Sequence, residues 1–201
     1  MTLTIQKYKL ILASNSPRRR YLLRRAGIEF DVMPSHFDES RVDYQDPIQY
    51  VRTLSQAKAG EIAALHPDCW IIGADTIVVI HGKVLGKPKD RSAARAMLEE
   101  LSGQTHQVYT GFTICCEGLR KRLTEVVATD VTFKKLTNDE IKWYIHTDEP
   151  FDKAGAYAIQ GLGTFLVERI NGSYTNVVGL PVCEVIGHLI REGVIRMQGN
   201  P

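Results

Sequence analysis

A chain of 201 residues, 44% hydrophobic and with a net charge of +2, is long enough for one large domain or two small lobes with a real core. No stretch reaches the roughly 18 apolar residues of a membrane span, no signal-peptide segment stands near the N-terminus, and the basic excess is too small and local for a nucleic-acid surface. The expectation is a cytoplasmic protein without membrane or nucleic-acid partners. The charge is uneven: residues 1–30 hold seven Lys/Arg and only Glu29, while residues 31–50 hold five Asp/Glu and only Arg41. A basic lip beside an acidic loop suits an anion together with its metal. The four cysteines, Cys69, Cys115, Cys116 and Cys183, form no CxxC pair and are expected to be small buried hydrophobes.

In chain order, an apolar strand from Lys9 to Ala13 runs into the polar turn Ser14-Asn15-Ser16, and Pro17 opens a helix with Ser16 as its N-cap. Phe30 to Met33 reads as a short strand, followed by a polar loop holding Asp38, Glu39 and Asp43. Asp46-Pro47 starts a helix whose apolar stripe continues to about Leu65. Trp70 to Ala74 is a buried strand, Ile77 to Ile80 continues it, and His81-Gly82 turns it into a hairpin. Asp90 or Ser92 begins a helix that Gly103 closes. Gln104–Cys116 and Leu123–Phe133 alternate like two long antiparallel strands. Thr137 to Glu140 is a capping box for a helix through about His146. Four glycines between 155 and 172 enclose a strand from Thr164 to Ile170, and Gly179-Leu180-Pro181 opens a last helix to about Arg191. Strands alternating with helices, with both hairpins and crossovers, predict an α/β fold with a mixed, twisted sheet and flanking helices. No linker interrupts it, so residues 1–201 are read as a single domain.

The residues able to do chemistry lie in a few segments. Arg18, Arg19 and Arg20 crowd a helix N-terminus that is already partly positive, an unfavourable arrangement unless an anion such as a polyphosphate sits there. Asp75 ends an apolar strand, where sites form in α/β sheets, with the Thr76 hydroxyl beside it. Glu39 and Asp75, from separate loops, can share a magnesium ion. Lys58 falls mid-helix between alanines on a partly buried face, so its ammonium needs an anion; Lys87 is held by the Gly86-Lys87-Pro88 turn. Gln160, in a glycine-rich segment, carries the donor and acceptor that suit a base edge. No serine or cysteine stands in a nucleophile-elbow context, and His106 reads as structural.

Ser14-x-Ser16-Pro17-Arg18-Arg19, Asp38-Glu39, Gly73-Ala74-Asp75-Thr76, Gly86-Lys87-Pro88, Ser102-Gly103-x-Thr105-His106, Asp152 to Tyr157 and Gly179-Leu180-Pro181 together resemble the Maf nucleotide pyrophosphatases, from about residue 9 to 191. Ala158-Ile159-Gln160-Gly161 resembles the dTTP/UTP branch. The resemblance implies an inosine-triphosphatase-like fold of two lobes around a central cleft, often a homodimer. It implies hydrolysis of a nucleoside triphosphate to monophosphate and pyrophosphate with a divalent metal, magnesium or manganese. Carried over by position, Asp75 matches the general base and Arg19, Thr76 and Gln160 the selectivity positions. Ser14, Glu39, Lys58 and Lys87 match further active-site positions, and Arg18 joins Ser14 and the two lysines as phosphate-binding. Two alternatives stay open: a nucleotide-binding regulator of cell division or septation acting through a protein partner, and a phosphatase releasing orthophosphate.

Overall fold

The alternation read from the sequence is what the computed structural model shows over residues 3–5 and 8–197, the residues it describes. The strands and helices are β1 (Leu3–Ile5), β2 (Leu10–Leu12), α1 (Pro17–Arg25), β3 (Asp31–Val32), α2 (Pro47–Leu65), β4 (Trp70–Ile80), β5 (Lys83–Leu85), α3 (Arg91–Leu101), β6 (Thr105–Cys116), β7 (Lys121–Phe133), α4 (Asn138–Tyr144), β8 (Val167–Asn171), α5 (Tyr174–Val178), α6 (Val182–Arg191) and β9 (Ile195–Met197). One sheet has the order β3-β2-β4-β6-β7-β8, with β5 paired to β4, and β1 pairs with β9 in a separate ribbon. β2 runs parallel to both β3 and β4, while β5 on β4 and β8 on β7 are antiparallel, so the sheet is mixed as expected. Side-chain bonds from Thr105 to Thr132, Gln107 to Asp130 and Thr113 to Thr124 rise along β6 as they fall along β7, which makes that pair antiparallel.

Local chemistry sets the boundaries. Ser16, Asp46, Asp90 and Thr137 each accept backbone N–H bonds as N-caps of α1, α2, α3 and α4, and Thr137 and Glu140 complete the capping box. His81 and Gly82 take φ of 50° and 76°, the paired positive values a two-residue hairpin between β4 and β5 requires.

The chain folds as two compact units: the first comprises residues up to Asp75, Thr110–Val127 and the segment from Gly179, and the second comprises Thr76–Tyr109 and Ala128–Val178. In the first, Ile11, Ala13, Ile71 and Cys115 pack on Ala59, Ile62 and Ala63 of α2. The helix backbone lies so close that a Cβ on Gly73 would sit 2.6 Å from the Ala59 nitrogen, and one on Gly111 would sit 2.3 Å from the Val51 carbonyl oxygen. In the second, Ile80, Leu98, Leu101, Phe133, Tyr144 and Leu166 anchor a separate core.

Three expectations are corrected. The strand placed at Thr164–Ile170 is Val167–Asn171, because Gly161–Leu166 winds as a 3-10 turn first. The helix through His146 ends at Tyr144, since the Thr147 hydroxyl bonds the Tyr144 carbonyl and turns the chain. Of the cysteines, Cys115 and Cys116 are buried, but Cys69 is only partly covered and Cys183 is exposed near the start of α6.

Candidate active site

The chemistry-bearing residues of the first unit converge on the middle of β4, where Asp75 stands inside one continuous strand and not at a strand end or in a loop as the sequence suggested, because the pairing runs on through Thr76 to Ile80. Its first six residues are buried on both faces, which carries Asp75 inward to 8% exposure. A lone carboxylate there is costly. Lys58 of α2 meets that need: its Nζ lies 2.6 Å from Asp75 Oδ1 and 2.6 Å from Glu39 Oε1. Lys58 is thus the mid-helix cation the sequence marked as needing an anion, and it bridges the two carboxylates read as metal ligands. Burial raises the Asp75 pKa above its ordinary value, against the opposing pull of Lys58 and Arg19.

Glu39 reaches the cluster from a short 3-10 turn, Glu39–Arg41, whose N-cap Asp38 accepts the Ser40 backbone N–H. Glu61 of α2 fixes the approach to that turn, accepting from the Ser35 hydroxyl at 2.5 Å and the His36 N–H at 3.1 Å. Nothing in the spacing of Glu61 had distinguished it from a solvated helix residue.

Arg19 does not splay into water. The residue is 9% exposed, with Nε donating to the Gly179 carbonyl at 2.8 Å and Nη1 to the Ala74 carbonyl at 2.7 Å and the Ser14 hydroxyl at 3.1 Å. Burial lowers its pKa from an ordinary value far above neutrality, and the nearby Asp75 charge opposes the shift. Ser14 Oγ also accepts the Ser16 N–H, so the turn before α1 is tied to Arg19. Arg18, beside it, is half-exposed. The sequence did not single out Tyr50 on α2, whose phenol is held above its ordinary pKa by burial and then by the Asp75 and Glu39 charges. It stands two turns before Lys58, a spacing that puts both on one helix face.

The second unit carries the other positions. Thr76 follows Asp75 on β4 and is half-buried, while Lys87 is exposed. Its turn is fastened by the Gly155 N–H donating to the Gly86 carbonyl at 3.1 Å. Gly155 has a φ of 70° and lies over Val78, where a Cβ would be 3.1 Å from a valine methyl. Gln160 is half-buried immediately before the turn Gly161–Leu166. His106 is 1% exposed, shares a 2.8 Å hydrogen bond with the Tyr157 hydroxyl and packs edge-on against Phe133 and Tyr157. Burial pushes its pKa down to about 4, as a neutral core histidine requires.

The family model for the Maf-like protein matches residues 9–192. The dTTP/UTP pyrophosphatase of Syntrophus aciditrophicus is 50% identical over 192 residues, covering 96% of this chain and 94% of that protein. The dTTP/UTP pyrophosphatases of Geobacter sulfurreducens and Bacillus pumilus are 47% and 48% identical, covering 95% and 92% of this chain and 100% and 97% of those proteins. A solved structure of a HAM1 protein from Coxiella burnetii is 13% identical and covers 63% of this chain and 73% of that one at a TM-score of 0.40, a likeness that carries no argument. With a family model spanning nearly the whole described chain and relatives about half identical along their full length, the chain belongs to the Maf-like protein family.

Proposed function

We infer that the protein hydrolyses UTP and dTTP to the nucleoside monophosphate and pyrophosphate. The observation that carries this is the Lys58-bridged pair of Glu39 and Asp75, set in a chain about half identical to proteins named dTTP/UTP pyrophosphatase. Hydrolysis of a phosphoanhydride asks a protein for positioning and charge neutralisation more than for covalent chemistry. Asp75 is the group to take a proton from the attacking water. Its burial raises its pKa, which makes the carboxylate a stronger base than one in water. Lys58 and Lys87 supply positive charge toward the phosphates, and Arg19, held by backbone carbonyls, keeps a buried positive charge beside Asp75.

In this reading Glu39 and Asp75, the two carboxylates that Lys58 bridges, would be the protein's ligands to a divalent cation. Among the described residues no group of three or more His, Cys, Asp or Glu could hold a metal. A two-carboxylate site suits magnesium, which keeps waters and takes substrate phosphate oxygens as its remaining ligands. When bound, such an ion would withdraw charge from the phosphates.

Gln160, Thr76 and Arg19 are the selectivity residues in this reading. A carboxamide donates to a uracil or thymine carbonyl and accepts from N3–H, which fits the pyrimidine edge. The reading also holds the protein to be cytoplasmic and homodimeric, with a nucleotide rather than a nucleic acid as its ligand. Among the described residues no helix is long and apolar enough to cross a membrane.

The test is a rate comparison across the eight common nucleoside triphosphates with magnesium, with products resolved. UMP and pyrophosphate from UTP, and much slower purine turnover, are expected. UDP and orthophosphate would make the protein a phosphatase, and no turnover on any nucleotide would favour the regulator. Gln160→Ala is expected to narrow the pyrimidine-to-purine ratio by lowering pyrimidine rates, since a site built for hydrogen bonds discriminates through the groups it would leave unpaired.

A further inference from the structure

The glycine-rich segment that carries Gln160 is not open to an incoming anion, because a carboxylate of the chain itself occupies it. Glu149 Oε2 accepts the Leu162 N–H at 2.9 Å, and Oε1 accepts the Gly163 N–H at 2.7 Å and the Tyr144 hydroxyl at 2.8 Å. Tyr144 is fully buried on α4, and its oxygen also accepts the Ala158 N–H at 3.2 Å. The loop is therefore fastened on both sides of Gln160, through Ala158 before it and through Leu162 and Gly163 after it. Closeness is built in: a Cβ on Gly161, where φ is 73°, would lie 2.3 Å from Glu149 Oε2, and one on Gly163 would lie 2.6 Å from the Tyr144 oxygen. Thr164 closes the turn from inside, its hydroxyl donating to the Gly161 carbonyl at 2.7 Å. Glu149 is anchored in turn, since its carbonyl accepts from Lys153 Nζ at 2.7 Å.

We propose that Glu149 is a positioning residue for base selection, its carboxylate clamping the Leu162 and Gly163 N–H groups so that Gln160 is held in one orientation toward the pyrimidine. This rests on the reading of Gln160 as the base-contacting residue. Two consecutive N–H donors and a buried phenol aimed at one carboxylate make charge-assisted bonds, the strong class of hydrogen bond. A contact residue on a glycine-rich loop needs such support, because glycine leaves the backbone many conformations to lose. The carboxylate gives no help to the phosphates, so its loss should be felt in selectivity rather than in chemistry common to all substrates.

Steady-state kinetics with UTP, dTTP, ATP and GTP on the full chain, for Glu149→Ala, Glu149→Gln, Gln160→Ala and the double variant Glu149→Ala/Gln160→Ala, test this. Glu149→Ala is expected to lower the pyrimidine-to-purine ratio of kcat/KM by about tenfold or more, the scale of a sub-ångström misplacement, chiefly through a higher KM for UTP and dTTP. Glu149→Gln keeps the overall shape and one acceptor oxygen but sets its NH2 against a loop N–H, so its ratio should fall between wild type and Glu149→Ala. It also serves where the alanine variant does not fold. The double variant should have the ratio of Gln160→Ala alone. A ratio unmoved by both Glu149 variants while Gln160→Ala shifts it overturns the role of Glu149. A ratio unmoved by Gln160→Ala overturns the reading of Gln160 and, with it, the route proposed for Glu149.

Discussion

Gly73→Ala tests whether the approach of α2 to β4 sets both the stability and the catalytic geometry of the first unit. The new methyl would lie 2.6 Å from the Ala59 nitrogen, 2.7 Å from the Ser55 carbonyl oxygen and 2.8 Å from the Ala59 Cβ. None of these atoms can rotate away. Ordinary contact between such atoms is about 3.5 Å or more, so the helix must retreat by close to ~1 Å. Overpacking of this kind costs about 1–3 kcal/mol, and three clashes with atoms of α2 that cannot turn aside place Gly73→Ala at about 3 kcal/mol. For a chain of this size that is a drop in Tm of roughly 6–12 °C. Ala59 follows Lys58, and Gly73 precedes Asp75 by two residues on one strand, so the same retreat stretches the 2.6 Å Lys58–Asp75 contact. A misplacement on that scale can cost about 100-fold in rate. Gly187→Ala is the matched control: the site lies inside α6, its φ is not positive, and a Cβ there meets nothing within 4 Å. It should gain about 0.5–1 kcal/mol from helix propensity. Calorimetry and UTP hydrolysis read both. A Gly73→Ala protein with wild-type Tm and rate would refute the claim that this close approach fixes Lys58 against Asp75.

Two further outcomes follow from the titrating groups. His106 has a folded pKa of about 4 against an ordinary 6.5, so below pH 6.5 the unfolded chain takes up a proton that the folded chain refuses, and stability falls as pH drops from 6.5 to about 4. The gap is worth about 3 kcal/mol in all; urea titrations from pH 7 to 4.5 should show wild type losing more stability than His106→Gln, and parallel curves would contradict it. For Asp75→Asn, turnover should fall by about 10²–10⁴-fold, since the amide cannot accept the proton. Because burial dominates the raised Asp75 pKa, the charged form weakens folding and Tm should hold or rise. Activity above a tenth of wild type, or a clear loss of Tm, would remove Asp75 from the role of buried base.

Much of this was legible because the signals were local. Proline after a capping serine or aspartate, a capping box and alternating apolar residues mark α1, α2, α4, β6 and β7 within a few residues of one another. Lys58 could be read as a buried cation from its flanking alanines, though not which acids it would meet. Arg19 could not be placed, because its partners, the Gly179 and Ala74 carbonyls, lie 160 and 55 residues away in sequence. β1 and β9 are three-residue strands joined from opposite ends of the chain, and α5 spans five residues, too short for a helical period to appear. The apolar run Phe165-Leu166-Val167 looks like one strand, yet its first two residues belong to a 3-10 turn shaped by glycines and by Glu149. Glu149 itself stands between Asp148 and Pro150 and has the composition of a solvated loop.

Lys58 and Glu149 share a property that bears on how the chemistry is prepared. Each is a charged group whose charge is met inside the chain. The Lys58 ammonium sits between two carboxylates, and the Glu149 carboxylate sits on two backbone N–H groups and a phenol. An active-site carboxylate left without a partner would draw water or rotate, and a glycine-rich loop left without an anchor would sample many backbone states. Both losses would have to be recovered at the moment of binding. With the polar groups already oriented, little reorganisation remains when charge develops in the transition state, which is where preorganised electrostatics contribute most. In the proposed reading the two devices act on different terms: Lys58 on the charge of the reacting centre, Glu149 on the orientation of Gln160 toward the base. A variant of the first should therefore lower rates for every nucleotide alike, and a variant of the second should change which nucleotide is preferred.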